Sequence, residues 1–251
     1  MFDSPYEELS NDIRLLGRIL GDIVREQSGD ETFELIESVR QAAVAGRRHD
    51  ESAVEVLRSA LSDQPIEQQL DVIRAFDWLS LLANTAEDVH LERRRRFHRA
   101  HRSTAQPGSL DATFERLRSI GVDAGEVVGV IDALSVSPVI TAHPTEVRRQ
   151  TILDVLREIA EVLNERNGLD ANDPAIDDAD ARLGVNILSL WQTAILRLSK
   201  LRVRDEINEA LRYYSASLFE TIPALSRHLE QIVEDDFGAI DADASAAVSM
   251  G

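Results

Sequence analysis

The chain has 251 residues, a net charge of −18 and no cysteine. The lack of cysteine excludes disulfides and thiolate zinc sites. The negative charge argues against general binding to nucleic acid or to an anionic membrane, because either partner needs a broad basic surface. Hydrophobic residues make up 43% of the sequence, enough for a buried core, but no apolar run approaches the about 20 residues of a membrane span, and the first residues do not resemble a signal peptide. We therefore expect a soluble, cytoplasmic protein.

Helices are predicted through the first hundred residues, because apolar side chains recur there at spacings of three and four. The predicted ranges are 9–27, 32–47, 51–61 and 66 to about 98. After a break at Gln106-Pro-Gly-Ser109, Ser109 is placed to cap a further helix that Gly121 can end. Trp78 and, later in the chain, Trp191 lie on apolar helix faces, so both are predicted to be core residues.

A basic run, Arg93 to Arg96, ends the fourth predicted helix, and further arginines and histidines follow up to Arg102. Such a run could contact an anion, an effector or another subunit. The alternative is that the cations lie near a helix carboxyl end, where the helix dipole favours positive charge. We favour the alternative, and we expect His90 to pack between helices rather than to bind a ligand.

A short apolar run, 136–141, is the only confidently predicted strand, and it leads into His143. Pro144 disfavours helical geometry at His143 and suits the first position of a helix, which the apolar spacing extends to Arg166. His143 is thus predicted to lie between the end of a strand and the positive end of a helix. A neutral imidazole can meet an anion there.

The last third of the chain is predicted to be helical after an acidic loop. Residues 167–180 contain five aspartates and are predicted to form that loop, exposed to solvent. Helices are predicted over 181–200 and 203–234, with a kink or break at Pro223. Only Ala246 to Met250 offers the single strand a partner, so the chain does not contain a whole sheet.

The residues around His143 closely resemble the first signature of phosphoenolpyruvate carboxylase. That signature reads Thr-Ala-His-Pro-Thr-Glu, then two residues and a basic pair, and Thr141 to Glu146 match it outright. Arg149 supplies the first basic residue, whereas Gln150 departs from the pattern. Further segments resemble the family's helices, namely 13–27, 82–90, 190–193, 211–214 and 218–220. The resemblance, to the bacterial type, spans nearly the whole chain.

The resemblance implies a mainly α structure that forms the amino-terminal helical part of an α/β-barrel enzyme. The family's barrel has eight strands, and 136–141 corresponds to the first. Catalytic residues of such barrels lie at the carboxyl ends of the strands, which suits His143. We expect a helical amino-terminal region over 1–135 and the start of the barrel over 136–251. Ala247 to Gly251 resembles the start of the second strand, so the chain is interpreted as an amino-terminal fragment.

The family joins bicarbonate to phosphoenolpyruvate, giving oxaloacetate and phosphate. The resemblance implies that His143 takes a proton from a carboxyphosphate intermediate, and histidine suits this step because its ordinary pKa of about 6.5 leaves it unprotonated near neutral pH. The alternative is a capping histidine in a polar niche. Arg148 and Arg149 could bind the phosphate or carboxylate of the substrate. For each arginine, the alternative is pairing with Glu146 or exposure to solvent.

The resemblance also implies a cofactor and partners. The family uses Mg²⁺ or Mn²⁺, and the metal ligands, the Gly-Arg-Gly-Gly loop and a catalytic lysine are expected outside this chain. Full-length members usually form homotetramers that aspartate, malate or acetyl-CoA regulates. At Thr193 to Arg197 the usual acidic pair is absent, so no site is assigned there. We expect the isolated chain to be inactive. The alternatives are a non-catalytic helical interaction domain and, less favoured, a histidine phosphocarrier.

Overall fold

A computed structural model describes residues 5–46, 55, 58–59, 61–101, 108–135, 150–170, 172–195 and 202–237. These residues are mainly helical, and none of them forms a β-strand, so the expected mainly α structure is confirmed for them. In chain order the helices are α1 (Pro5–Ser28), α2 (Asp30–Gly46), α3 (Ile66–His101), α4 (Leu110–Ser119), α5 (Ala124–Ala133), α6 (Gln150–Arg166), α7 (Ala175–Trp191), α8 (Val203–Tyr213) and α9 (Phe219–Phe237). Among the helices so described, none is long and apolar enough to cross a membrane.

The described residues divide into two compact units. Unit 1 draws on Met1–Arg95 and Arg148–Arg197, so it contains α1, α2, most of α3, α6 and α7. Unit 2 draws on Arg96–Val147 and Leu198–Gly251 and contains α4, α5, α8 and α9. The predicted strand 136–141 and most of the predicted helix 51–61 lie outside the described residues.

Unit 1 is organised around one apolar core. The helices α1, α3, α6 and α7 each present a stripe of large side chains at spacings of three and four, and these stripes meet. The side chains that are almost fully shielded from solvent are Leu16, Val24, Trp78, Leu82, Ile152, Ile159, Val162, Leu163, Leu183, Ile187 and Leu190. Trp191 is also buried, so the prediction that both tryptophans are core residues is confirmed.

Unit 2 has a smaller core at the contact between α4, α5 and the carboxyl-terminal half of α9. Its buried residues are Phe114, Val127, Ile232 and Val233. As predicted, Ser109 caps α4, because its hydroxyl accepts a hydrogen bond of 3.1 Å from the Ala112 amide. Gly121 follows the end of α4 with φ of 72°, a conformation that favours glycine.

The predicted acidic loop, 167–180, is wrong in its second half. Helix α7 already begins at Ala175, and Ala179 is buried in the core of unit 1. The Asp173 carboxylate accepts a hydrogen bond of 2.9 Å from the Ala175 amide, which satisfies one free amide at the helix start. Two more aspartates lie in the first turn, where the helix dipole favours negative charge. The acidic residues therefore span both a short loop and the start of a helix.

Two further helix predictions differ from the structure. The predicted helix 181–200 ends at Trp191, and the described residues that follow, 192–195, are not helical. Of the kink or break predicted at Pro223, the break is contradicted, because α9 runs from Phe219 to Phe237. The irregularity comes earlier, as a five-residue π-helical turn, Tyr214–Leu218, between α8 and α9.

Candidate functional site

The three residues predicted to form the site, His143, Arg148 and Arg149, lie outside the described residues. The described chain resumes at Gln150, directly after Arg149, with the first residue of α6. Helix α6 is therefore the first described element after the predicted site segment.

Helix α6 is held firmly in the core of unit 1. Ile152, Ile159 and Leu163 are buried on one face, which is the face predicted from their spacing. Near the amino terminus, the Gln150 side-chain amide donates a hydrogen bond of 2.7 Å to the Asp154 carboxylate one turn later. Helix α6 is thus a packed element of unit 1.

The carboxyl end of α6 is fixed by charged contacts to α7. The Nε atom of Arg166 donates a hydrogen bond of 2.5 Å to one carboxylate oxygen of Asp180, and its Nη2 atom lies 3.5 Å from the other. Glu165 accepts a hydrogen bond of 2.7 Å from Arg182. The Arg166 pair is partly buried, so it is screened less by solvent than the exposed Glu165 pair.

A buried polar cluster ties three parts of unit 1 together. The Asp12 side chain on α1 is 6% exposed, and its Oδ2 atom accepts hydrogen bonds from Arg93 on α3 at 2.8 Å and from Asn167 after α6 at 3.0 Å. Arg93 Nη1 also lies 3.8 Å from the carboxylate of Glu8. We call Asp12, Arg93 and Asn167 the Asp12 cluster. A buried carboxylate with two donors is well paired, which fits a structural role.

The Asp12 cluster was missed by sequence reasoning, although two signals were present. Asp12 interrupts the apolar face of α1, four residues before the buried Leu16. Arg93 is the first residue of the basic run that we assigned to the helix end. In the structure Arg93 binds a buried carboxylate within unit 1. Neither contact with an external anion nor placement at a helix end is therefore a sufficient explanation for this arginine.

His90 lies one turn before Arg93 on α3 and is buried, in agreement with the packing prediction. Its Nδ1 atom has no hydrogen-bond partner among the described residues. Burial lowers the pKa of His90 below its ordinary value, and the positive charges of Arg93 and Arg94 lower it further, while Glu8 and Asp12 partly oppose the shift. His90 is therefore a neutral packing residue near neutral pH.

The lowered pKa of His90 predicts a loss of stability in acid. The unfolded chain binds a proton at this histidine below about pH 6.5, whereas the folded chain binds it only at lower pH. As the pH is lowered below about 6.5, the free energy of unfolding should therefore decrease. His90 contributes at most about 1.4 kcal/mol of this decrease per pH unit. In the variant His90→Leu, this contribution of His90 to the pH dependence of stability is absent. Urea titrations at several pH values between 5.5 and 7.5 measure it.

The control for this prediction is Thr85→Val, a buried and non-titrating change on the same helix. Its difference from the wild type should be constant with pH. The difference for His90→Leu should shift in favour of the variant as the pH falls. A His90→Leu difference that is constant over the same range would contradict the assignment of His90 as a buried neutral group.

No group of three or more histidine, aspartate or glutamate side chains that could hold a metal ion occurs in the part of the chain that the structure describes. The residues of the Asp12 cluster do not fit a divalent cation, because one carboxylate is already satisfied by an arginine and an amide. His228 is exposed, and its Nε2 atom lies 3.2 Å from a carboxylate oxygen of Asp111. These described clusters are consistent with folding roles.

Comparison with known proteins identifies similar sequences over almost the whole chain. Residues 9–251 match the family model for phosphoenolpyruvate carboxylase. The phosphoenolpyruvate carboxylase of Paraburkholderia xenovorans strain LB400 is 45% identical over 230 residues, which is 90% of this chain and 23% of that protein. Those of Azorhizobium caulinodans and Nocardia farcinica are 42% and 44% identical, over 92% and 87% of this chain and 25% and 23% of their own lengths. The chain spans about a quarter of the length of these relatives.

Proposed function

Because the chain belongs to the phosphoenolpyruvate carboxylase family, a family of carboxy-lyases, we propose that it forms the amino-terminal part of an enzyme that carboxylates phosphoenolpyruvate. The products are oxaloacetate and phosphate, and the second substrate is bicarbonate. The family match over residues 9–251 carries the proposal, since it includes the Thr141 to Glu146 motif together with the helices on either side.

His143 is the group that we propose for proton transfer. Phosphate first passes from phosphoenolpyruvate to bicarbonate, which yields carboxyphosphate and the enolate of pyruvate. The neutral imidazole of His143 then takes the proton of the carboxyl group, and the bond between the carboxyl carbon and the phosphate oxygen breaks, releasing carbon dioxide and phosphate. The enolate carbon attacks carbon dioxide to form oxaloacetate. An imidazole suits this role because it is largely unprotonated at neutral pH and can still accept a proton.

Arg148 and Arg149 are proposed to bind the phosphate or carboxylate of the substrate. A guanidinium can hold either group through two parallel hydrogen bonds. Support comes from their place in the sequence, directly ahead of α6, whose Ile152 and Ile159 are buried in unit 1.

The rest of the active site is proposed to lie in the polypeptide that relatives have and this chain does not. There, 136–141 would be the first strand of an α/β barrel that follows the helical region 1–135. The same polypeptide would supply the ligands of Mg²⁺ or Mn²⁺. When bound, the metal ion would act as an electrophile toward the enolate and phosphate oxygens. We place the complete enzyme in the cytoplasm as a homotetramer.

Joining the chain to its missing part tests the proposal. In the chimera, this chain replaces the matching segment of the Paraburkholderia xenovorans carboxylase, to which it is 45% identical. We expect the chimera to form oxaloacetate from phosphoenolpyruvate and bicarbonate, and the isolated chain to form none, because His143 alone cannot bind and activate both substrates. A coupled assay of oxaloacetate measures both. Turnover by the isolated chain, or a folded but inactive chimera, would contradict the proposal.

A further inference from the structure

The carboxyl-terminal part of α3 is attached to the core of unit 1 by little buried surface. Val89 and His90, which are 7% and 4% exposed, are the last buried residues of α3 among those whose side chains are described. The next seven residues, 91–97, are all exposed or half-buried. We call 91–97 the α3 end. A helical segment that buries so little can open while the rest of the protein stays folded.

An ion pair joins the α3 end to α1. Arg93 donates a hydrogen bond of 2.8 Å to the buried carboxylate of Asp12, and its Nη1 atom lies 3.8 Å from a carboxylate oxygen of Glu8. Both carboxylates belong to α1. A change of charge next to Arg93 therefore acts directly on the attachment of the α3 end.

His90 lies next to this ion pair, and its buried side has no acceptor for an additional proton. It precedes Arg93 by three residues on the same helix, a spacing at which side chains are neighbours. Its Nδ1 atom is shielded from solvent and has no hydrogen-bond partner among the described residues. A protonated imidazole donates from both ring nitrogens. Charging His90 in the closed structure would therefore leave a buried N–H group without an acceptor, which is costly.

The charged groups near His90 come from two helices. Arg93 and Arg94 of α3 disfavour a further positive charge at His90, whereas Glu8 and Asp12 of α1 favour one. The carboxylate of Asp12 is already engaged by Arg93. A protonated His90 would therefore compete with Arg93 for the carboxylates of α1.

We propose that protonation of His90 opens the contact between the α3 end and α1 while the remaining core of unit 1 stays folded. The imidazolium gains water as an acceptor for its Nδ1–H group only when the α3 end moves away, so the open state binds the proton more tightly than the closed state. Trp78 and Leu82, at least two turns earlier on α3, are fully buried and keep that helix in the core. The proposal does not depend on the role of His143.

Hydrogen exchange of the 251-residue chain, followed by mass spectrometry at low urea concentrations, tests this proposal. After correction for the intrinsic effect of pH on exchange, the amides of the α3 end should open up to about 10-fold more often at about pH 5.5 than at about pH 7.5. Their exchange should depend little on urea, because a local opening exposes little surface. The amides of α6, which need global unfolding, should exchange more slowly and should accelerate with urea.

Variants at position 90 separate this opening from other titrations. His90→Leu and His90→Gln each remove the ionisable group, and both should abolish the pH dependence of exchange at the α3 end. The glutamine variant keeps a polar side chain and serves where leucine alters the packing. The matched control is His228→Asn, which removes an exposed histidine of unit 2 and should keep the pH dependence.

Three results would overturn the proposal. One is an α3 end that opens equally often at both pH values, and another is a pH dependence that persists in His90→Gln. The third is an α3 end with the same opening free energy and the same urea dependence as α6, which would mean that His90 gains its proton only on global unfolding. That third result would leave intact the acid loss of stability predicted above, so the two statements can fail separately.

Discussion

Replacing His143 by asparagine in the chimera is expected to lower kcat for oxaloacetate formation by about 10²- to 10⁴-fold, the usual contribution of a general base. Asparagine keeps a polar side chain of similar reach but cannot accept the proton of carboxyphosphate. Binding of phosphoenolpyruvate should change little, so the loss should fall on kcat rather than on KM. Steady-state assays of oxaloacetate at saturating bicarbonate measure both constants.

His228→Asn is the matched control for this change. His228 is exposed and contacts Asp111 within unit 2, so its replacement should leave turnover within about twofold of the wild-type chimera. The variant His143→Asn also distinguishes an enzyme from a non-catalytic helical interaction domain. A helical interaction domain that kept the motif only for packing would retain turnover after His143→Asn, and that outcome would remove His143 from the reaction.

Asp12→Ala is expected to cost about 3 kcal/mol of unfolding free energy in the isolated chain. The change leaves Arg93 and Asn167 without the carboxylate that accepts their hydrogen bonds at 2.8 and 3.0 Å, and breaking a buried pair on one side costs about 3–5 kcal/mol. We place the effect at the low end because the Arg93 side chain is 26% exposed and also lies near Glu8. Urea unfolding followed by circular dichroism measures it.

Two further variants define what the Asp12 pair contributes. Asp12→Leu with Arg93→Met replaces both charges by apolar groups and should be more stable than Asp12→Ala, because no buried charge is left unpaired. Asp30→Asn removes one of the two exposed carboxylates that pair with Arg25, at a contact distance of 3.2 Å, and should cost less than about 0.5 kcal/mol. If Asp12→Ala cost as little as Asp30→Asn, the cluster would not be a stabilising contact of unit 1.

Helical structure was predictable because it depends on local spacing. The buried faces of α1, α3 and α6 follow from apolar residues three and four apart, and the cap at Ser109 follows from residue type. The prediction was wrong over 175–180, where composition was read as a loop although Asp173 accepts a hydrogen bond from the first amide of a helix. Aspartate is common both in loops and at helix starts, so its abundance does not distinguish the two.

Contacts between distant residues were not predictable in the same way. Asp12 meets Arg93 and Asn167 across 81 and 155 positions of sequence, and no local pattern records such a pairing. His143, Arg148 and Arg149 were reached by a different route. They fall within one contiguous motif, and the motif could be compared directly with a family even without a fold.

The ratio of phosphate released to oxaloacetate formed by the His143→Asn chimera tests the central claim most directly. In the proposed reaction His143 acts only after phosphate has passed to bicarbonate, so the first step does not need its imidazole. We predict that the variant still releases phosphate from phosphoenolpyruvate when bicarbonate is present. The amount of oxaloacetate formed should be far smaller than the amount of phosphate released. Equal amounts of phosphate and oxaloacetate at the wild-type rate, or the loss of both products by a folded variant, would contradict the role assigned to this histidine.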